Sequence, residues 1–471
     1  MLFLILVGVI LAAGKGKRFK SDIPKVLHSI YDKPILEYVL DNFKDIKVTK
    51  VVVVVGSGYK TVSEYLKKYQ NTNNKMQIEI VKQKKQLGSG DALKVAIKDL
   101  LRFRNFDGDI VVVNGDMPFL SLNSLKRVIQ THKKADTTFL TALLRNPFGY
   151  GRVIRELNGN KFLPKRIVEE KDCTYEQKQI NEVNAGVYCL KLKKAKKWLN
   201  QIKNSNKQKE YYLTDLIEIA SKDQGKIKTY TTNNVEETQG INSRYDLEKA
   251  FYNMNQKIIK KFQDKGITIL DPRNTYIGPQ VKIGKDNVIY PNTFLNGKIK
   301  IGPKNTLGPN LHVEGKVLIG KENNISYSHI TNSIIGNNNL IGPYARLRDN
   351  VVLKNNVKVG NFVEMKNSKV DNDSQIAHLS YIGDAVLGKN VNIGAGTITA
   401  NYNSKTGKKN KTVLKDRAST GSNSVLVAPV TINENAMVAA GSVITKNVPK
   451  DALAITRSKQ ENKVGWMKKR A

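Results

Sequence analysis

The stretch YIGPQVKIGKDNVIYPNTFLNGKIKIGPKNTLGP, Tyr276 to Pro309, repeatedly sets an aliphatic residue before a glycine. Gly278 and Gly284 are six residues apart, as are Gly302 and Gly308, and Gly284 to Gly302 spans 18, three times that step. The phase continues beyond it: Gly308 to Gly320 is 12, Gly336 to Gly342 six, Gly342 to Gly360 18 and Gly388 to Gly394 six. A six-residue period suits a parallel β-helix, in which each face of a triangular coil takes about six residues and one coil about 18. The aliphatic residue points into the prism, and the glycine after it allows a corner turn that a Cβ would hinder. Residues from about 267 to 450 would make roughly ten coils, stacked about 4.8 Å apart.

Two intervals break the phase. Gly320 to Gly336 is 16, and Gly360 to Gly383 is 23, the second holding Lys366, His378 and Tyr381. In NIGAGTITANYNSKTGKKNKT, from Asn392, the polar segment Asn401 to Lys411 cannot be prism interior and is expected to protrude as a loop. Lys415 to Thr420, KDRAST, lacks the glycine and aliphatic residue of a normal hexad, so a poorly packed coil is expected there.

With 471 residues, 40% hydrophobic and 25% charged, the chain is long enough for two or three domains with ample core, which excludes a disordered protein. The opening run MLFLILVGVILAA is shorter than the about 20 residues that span a bilayer. Its positive charges, Lys15, Lys17 and Arg18, follow the apolar run, whereas a signal peptide carries them before it. A buried parallel strand and no membrane insertion are expected. Cys173 and Cys189 alone offer neither a disulfide scaffold nor a thiol metal cluster, and a reducing cytoplasm is the expected compartment. The net charge of +37 comes from lysines scattered over every segment, with aromatic residues at only 7%. That distribution fits a Lys- and Asn-rich solvated surface that attracts small polyanions, and no nucleic-acid partner is expected.

The first 240 residues read as α/β. Apolar runs at Leu2 to Ala13, Val51 to Val55 and Ile110 to Val113 alternate with helix-compatible stretches, which implies a parallel sheet with its ligand crevice beyond the carboxyl ends of the strands. LAAGKGKRF, Leu11 to Phe19, follows the first run. Gly14 and Gly16 let backbone N–H groups approach a phosphate, and Lys15, Lys17, Arg18 and Lys25 can neutralise a triphosphate. The loop has the spacing of neither a Walker motif nor a dinucleotide fingerprint. The third run ends VVVNGDMP, which puts Asp116 at a strand tip, where a carboxylate can hold Mg²⁺ against substrate phosphates.

LAAGKGKRF with IPKVLH, QKKQLGSGDA from Gln83, NGDMP, GYGR from Gly149, IVEEKD from Ile167 and EVNAG from Glu182 closely match sugar nucleotidyltransferases. With the C-terminal IGPYARLR, GNFVEMK, HLSYIGD, NIGAGTITANY and LVAPV, the chain from about residue 5 to 466 resembles the bacterial bifunctional N-acetylglucosamine-1-phosphate uridylyltransferase/glucosamine-1-phosphate acetyltransferase family. The resemblance implies an α/β Rossmann-like nucleotidyltransferase domain followed by a left-handed parallel β-helix of hexapeptide repeats. It implies two reactions towards UDP-N-acetylglucosamine, a precursor for peptidoglycan and lipopolysaccharide. Acetyl-CoA first acetylates glucosamine 1-phosphate, and UTP then transfers UMP to N-acetylglucosamine 1-phosphate in a Mg²⁺-dependent step that releases pyrophosphate.

Carried over by that resemblance, Leu11, Ala12, Ala13, Gly14, Gln83, Gly88, Ser89, Asn114 and Gly115 surround the uridine nucleotide. Lys25 contacts its phosphates, Arg18 stabilises charge on the departing pyrophosphate, and Asp116 and Asn242 hold Mg²⁺. Gly151, Glu169 and Asn184 bind the N-acetylglucosamine moiety. In the repeats His378 is the general base for the attacking amine, a role that suits a group titrating near neutrality. Asn401 orients the amine or stabilises the tetrahedral intermediate. Arg348, Lys366 and Tyr381 grip the sugar phosphate, with Asn392 and Tyr402 nearby, and acetyl-CoA touches Ala395, Asn401, Tyr402, Ser422, Ala440 and Arg457. Family β-helices associate side by side, so a homotrimer is implied, each acetyltransferase site drawing on neighbouring chains. The sequence departs from relatives at Asp91, where His is usual, and at Asn114, where some carry Tyr.

The expected organisation is a nucleotidyltransferase domain over residues 1–240, a linker helix over 241–266 and the β-helix with its tail over 267–471. Asn242 to Lys261 reads as helical, with Leu247, Phe251, Met254, Ile258 and Phe262 along one face. An alternative keeps only the nucleotidyltransferase and makes the β-helix a trimerising or regulatory scaffold; the joint presence of Arg348, Lys366, His378, Tyr381 and Asn401 speaks against it.

Overall fold

The computed structural model describes residues 6–48, 50–72, 76–102 and 108–467. Leu2 to Ile5 of the expected first strand therefore lie outside the described residues. The chain divides into two compact units, Met1–Phe251 and Tyr252–Ala471.

In the first unit β1 (Leu6–Ala12), β2 (Lys50–Val55), β3 (Gln77–Lys82), β4 (Asp109–Asn114), β5 (Thr137–Leu143), β6 (Arg152–Asn158), β7 (Lys161–Val168), β8 (Glu182–Lys191) and β9 (Ile227–Thr232) form a nine-stranded sheet. Its main path runs β9-β5-β8-β4-β1-β2-β3, with β6 attached through β8 and β7 paired with β6. β1 pairs in parallel with β2 and β4, and β8 runs antiparallel to β4 and β5. Val51 to Val55 and Ile110 to Val113 are buried along their whole length, as strands covered on both faces must be. Alternate residues enter opposite cores: Val52 and Val54 meet Leu93 and Ile97, while Val51 and Val53 meet Leu36 and Leu40. Ala12 pairs with Val55 and Leu11 with Asn114, so β1, β2 and β4 end at the same edge and their following loops converge there.

The second unit is a left-handed parallel β-helix. One face is an eleven-stranded sheet and a seventeen-stranded sheet wraps the other two. The eleven-stranded face gives the coil lengths directly. Val288 pairs with Thr306 and Thr306 with Asn324, steps of 18; Asn324 to Leu340 is 16, Lys358 to Gln375 and Gln375 to Asn392 are 17, and Asn392 to Ser419 is 27. Ile289, Leu307, Ile325, Ile341, Val359, Ile376 and Ile393 stack in register and fill the prism.

The hexad glycines serve the stacking more than the corner. A Cβ on Gly360 would lie 2.0 Å from the Ala377 carbonyl oxygen, and one on Gly394 2.5 Å from that of Thr420. The left-handed corner conformation falls two residues later, on Asp286, Lys304, Asn310, Asn338 and Phe362. Asparagine suits that conformation because its short polar side chain bonds locally.

Other asparagines are not surface residues at all, which corrects the expectation of a purely solvated Asn bias. Asn287, Asn305, Asn323 and Asn339 are buried one above another. Each of the first three accepts at Oδ1 from the backbone N–H of the next, at 2.9 Å, and Asn339 accepts from Val357 N at 2.8 Å. The atypical KDRAST hexad also packs, against expectation. Ala418 is buried in the prism, and Thr420 takes an aliphatic position with its hydroxyl 2.9 Å from that of Thr397.

The segment after Asn401 protrudes as expected. Tyr402 to Lys409 is exposed and closed by an antiparallel bridge between Tyr402 and Lys409, which accounts for the 27-residue coil.

The expected linker helix forms over Arg244–Gln263, two residues later than its expected start. Its deepest residues are Ala250, Asn255, Ile259 and Phe262. Of the expected line Leu247, Phe251, Met254, Ile258 and Phe262 only Phe262 is fully buried and the other four are half-buried, so the buried stripe is rotated over the first turns. Packing on the first coil decides this. Asn255 donates to Thr275 O at 2.7 Å and accepts from Ile277 N at 3.1 Å, closing an otherwise open strand edge.

Candidate active sites

The loops after β1, β3 and β4 enclose a crevice of about 500 Å³ in the first unit. Leu11, Ala13, Gly14, Lys25, Gln83, Gly88, Ser89, Asn114 and Asp116 all line it. Ala12 is buried in the strand behind, and Gly115 donates its N–H to Leu11 O at 2.9 Å, holding the β1 and β4 loops together. A Cβ on Gly14 would meet nothing within 4 Å, so the loop is open on the ligand side. Gly16, at φ 60, turns the chain into the short helix Lys17–Phe19. Lys15 and Lys17 line the crevice, while Arg18 lies exposed on the same turn.

Helix α1 (Ser89–Leu100) begins at Gly88 with no side-chain cap, which sets its positive dipole end at the crevice; its Gly90 N–H donates to Tyr211 O at 2.8 Å. Gln83 is buried, and its amide N–H groups go to Gly88 O at 3.2 Å and Asp91 Oδ2 at 2.7 Å. Its carbonyl oxygen is thereby left to accept from a ligand. Asp91 thus orients Gln83 from behind.

Lys25 Nζ lies 2.5 Å from Asp116 Oδ2 and 3.0 Å from Asn242 Oδ1. A carboxylate oxygen and an amide oxygen, from segments 126 residues apart, aim at one cationic point. Two hard oxygen donors that converge on one cationic point in the crevice fit Mg²⁺.

Asn184 N donates to Gly151 O at 2.9 Å, and a Cβ on Gly151 would come 3.5 Å from Glu169 Oε2. Gly151, Glu169 and Asn184 therefore share one wall. Burial pushes the Glu169 carboxyl up from its ordinary range; the Thr214 hydroxyl, 2.9 Å away, opposes this, and the negative Asp172 and Glu210 add to it. Gln86 and Glu210 also line the crevice, and sequence reasoning missed both. Glu210 arrives from an irregular loop that carries no motif.

In the second unit the coil register does the assembling. Arg348, Lys366 and Gly383 stand on successive coils, as do Glu364 and Tyr381. Arg348 donates through Nε to Glu364 Oε1 at 2.8 Å, and both Arg348 and Lys366 reach Asp349 Oδ2, at 3.1 and 3.3 Å. The two cations expected at the sugar phosphate are thus held ready by two carboxylates. Gly383 makes room for Tyr381, whose hydroxyl would lie 2.6 Å from a Cβ there. Asn401 is buried at the root of the protruding loop, donating to Asp384 Oδ2 at 2.5 Å.

His378 ends the strand Gln375–His378 with its side chain exposed. Asn392 is exposed one coil on, and Tyr402 lies on the loop. Ala395 O accepts from Asn423 N at 2.7 Å, Ser422 O accepts from Gly441 N at 2.8 Å, and Arg457 donates to Ala440 O at 3.1 Å. Ala395, Ser422, Ala440 and Arg457 therefore follow one corner over successive coils.

A family model described as a MobA-like NTP transferase domain matches residues 8–157, and one described as a GMPPB C-terminal domain matches residues 272–363. The chain is 44% identical over 461 residues to the bifunctional protein GlmU of Thermosipho melanesiensis, covering 98% of this chain and 96% of that one. It is 43% identical over 464 residues to the protein of the same name from Clostridium perfringens, covering 98% of each. A solved structure of UDP-glucose pyrophosphorylase complexed with UDP-glucose is 20% identical, with a TM-score of 0.45 over 54% of this chain and 100% of that one.

Proposed function

The chain belongs to the family of bifunctional GlmU proteins, and we propose on that footing how its two sites divide the synthesis of UDP-N-acetylglucosamine. It is a transferase of two activities, N-acetylglucosamine-1-phosphate uridylyltransferase and glucosamine-1-phosphate N-acetyltransferase. The observation that carries the assignment of sites is the meeting of Lys25, Asp116 and Asn242 in the crevice at the strand ends.

Uridylyl transfer is placed in that crevice. Gln83, Gly88 and Ser89 hold the nucleotide, and Lys15, Lys17 and Lys25 carry its phosphate charge. Arg18 swings from its exposed turn towards the departing pyrophosphate. Asp116 and Asn242 are the ligands for Mg²⁺, which when bound neutralises phosphate charge. Gly151, Glu169 and Asn184 seat the sugar so that its phosphate oxygen faces the α-phosphorus. That nucleophile is already anionic, so the protein supplies alignment and charge neutralisation.

Acetyl transfer is placed on the β-helix. Arg348, Lys366 and Tyr381 take the sugar phosphate, which displaces Asp349 and Glu364 from the two cations. Asn392 and Tyr402 flank the sugar. The amine attacks the thioester carbonyl carbon of acetyl-CoA, His378 takes the proton it loses, and the CoA thiolate leaves and is protonated. Asn401, fixed by Asp384, steadies the amine or the tetrahedral oxyanion. CoA follows the corner of Ala395, Ser422, Ala440 and Arg457.

A homotrimer is part of the proposal. Tyr344, Phe362 and Leu379 form an exposed corner column, 54%, 59% and 64% accessible, directly beside His378. The Tyr344 and Phe362 rings stack at 5.3 Å. A second copy of the chain against this column covers it and completes the site.

The test assays each half-reaction alone on full-length protein. His378→Ala lowers acetyl transfer by about 10²–10⁴-fold with uridylyl transfer intact, and Asp116→Ala stops uridylyl transfer with acetyl transfer intact. Loss of both activities in either folded variant overturns the two-site assignment, and survival of acetyl transfer in His378→Ala overturns the base.

A further inference from the structure

Outside both sites, the second unit gathers three ligand-type side chains on one face of its early coils. His312 opens the strand His312–Ile319, and His329 opens His329–Thr331, in direct register one coil on. Glu314 lies two residues after His312, on the same side of the strand. One ligand atom from each of the three falls within 4.8 Å of the others. His312 Nε2 is 3.4 Å from Glu314 Oε2, and His329 Nε2 is 3.5 Å from Glu314 Oε1.

We propose that His312, Glu314 and His329 bind a divalent ion of the Zn²⁺ class. Tetrahedral coordination with bonds of about 2.0–2.1 Å sets neighbouring ligand atoms about 3.3–3.4 Å apart. Each imidazole already stands that close to one of the two Glu314 oxygens, and a small side-chain rotation brings a set that lies within 4.8 Å onto one ion. Two imidazoles and one carboxylate select a borderline ion over Mg²⁺ or Ca²⁺, which prefer all-oxygen shells. The His329 Nε2 atom is buried and has no hydrogen-bond partner, an arrangement that an ion resolves. Phe294 packs on the His312 ring at 4.7 Å and limits its freedom to turn away.

Ring contact between the two histidines, at 4.8 Å, shows that adjacent coils already hold them together. The ion ties the coil of His312 to that of His329, where the 18-residue step from Phe294 to His312 gives way to 17. Half-exposed side chains leave a fourth position open to water or to an exogenous ligand.

Chelator-treated full-length protein is titrated with Co²⁺ and then with Zn²⁺. The expected result is stoichiometric Co²⁺ binding with the intense visible absorption of a four-coordinate ion, displaced by Zn²⁺. His312→Gln and His329→Gln each weaken binding by at least about tenfold and remove the absorption, with uridylyl transfer unchanged. Asp116→Ala keeps the absorption, which separates this site from the nucleotide crevice. The proposal is overturned if the native protein gives no such absorption, or if the absorption survives both histidine substitutions.

Discussion

Asp215 opens the helix Asp215–Lys222 near Glu169 and shows how the fold sets the charge state of a single residue. Burial, and after it the negative Glu169, Glu218 and Asp172, push its carboxyl from 3.8 to about 6. The folded chain therefore keeps a proton that the unfolded chain has released across that window, and stability falls as pH rises through it. Asp215→Asn removes the penalty. Its gain over the native chain is expected to be small near pH 4 and to level off above pH 6 at roughly 1–2 kcal/mol, once solvent screening is discounted. Urea unfolding midpoints at the two ends of the window measure this, and a difference that does not change with pH refutes it. Such residues were illegible in the sequence, because a raised carboxyl reflects its surroundings: here burial, Glu169 and Asp172 brought in by the loop after β7, and Glu218 one turn on in its own helix. Asp116 was legible because it sits just past the end of β4, where parallel sheets bind ligands, and Lys25 because it follows the glycine-rich loop after β1 as one more cation able to meet phosphate. Asn242 rested on family resemblance alone, its partners lying far away in sequence.

The glycine grid announced the β-helix, and the coil steps of 16, 17 and 18 explain why the grid slipped where it did. The asparagine ladder is the element that the pattern hid. An Asn in a polar hexad reads as a turn residue, and only stacking shows that its amide serves the next coil. Asn305 is its best test. It donates to Gly302 O and Gly320 O, each at 3.0 Å, and accepts from Asn323 N at 2.9 Å. Asn305→Ala strands these buried groups and should cost about 2–4 kcal/mol. Thermal unfolding of the full chain reads this as a lowered transition; an unchanged transition would mean that the ladder bonds are replaced by water. Thr420 makes the same point in the KDRAST hexad. Its hydroxyl enters the prism because Thr397 is there to bond it, so a hexad without an aliphatic residue still packs.

For the whole molecule, the two units impose different requirements on the surface. No helix among the described residues is long and apolar enough to cross a membrane. The net charge of +37 suits a protein whose proposed substrates, UTP, sugar phosphates and acetyl-CoA, are all anions. Against so basic a surface, the corner of Tyr344, Phe362 and Leu379 stands out as apolar and open to water. Isolated exposed apolar residues are ordinary, but a ring stack continued by a leucine beside the proposed base is a contiguous strip. If chains associate there, the acetyltransferase site is completed in the trimer while the nucleotide crevice lies wholly within one chain. The two activities then respond differently to one lesion. Phe362→Glu places a carboxylate in the strip and should shift the protein from trimer to monomer in sedimentation, with acetyl transfer lost and uridylyl transfer kept. Phe362→Leu, which keeps the apolar surface, should retain the trimer and both activities. A Phe362→Glu protein that stays trimeric and acetylates normally would place the interface elsewhere on the prism. A monomer that still acetylates would show that one chain holds the whole site.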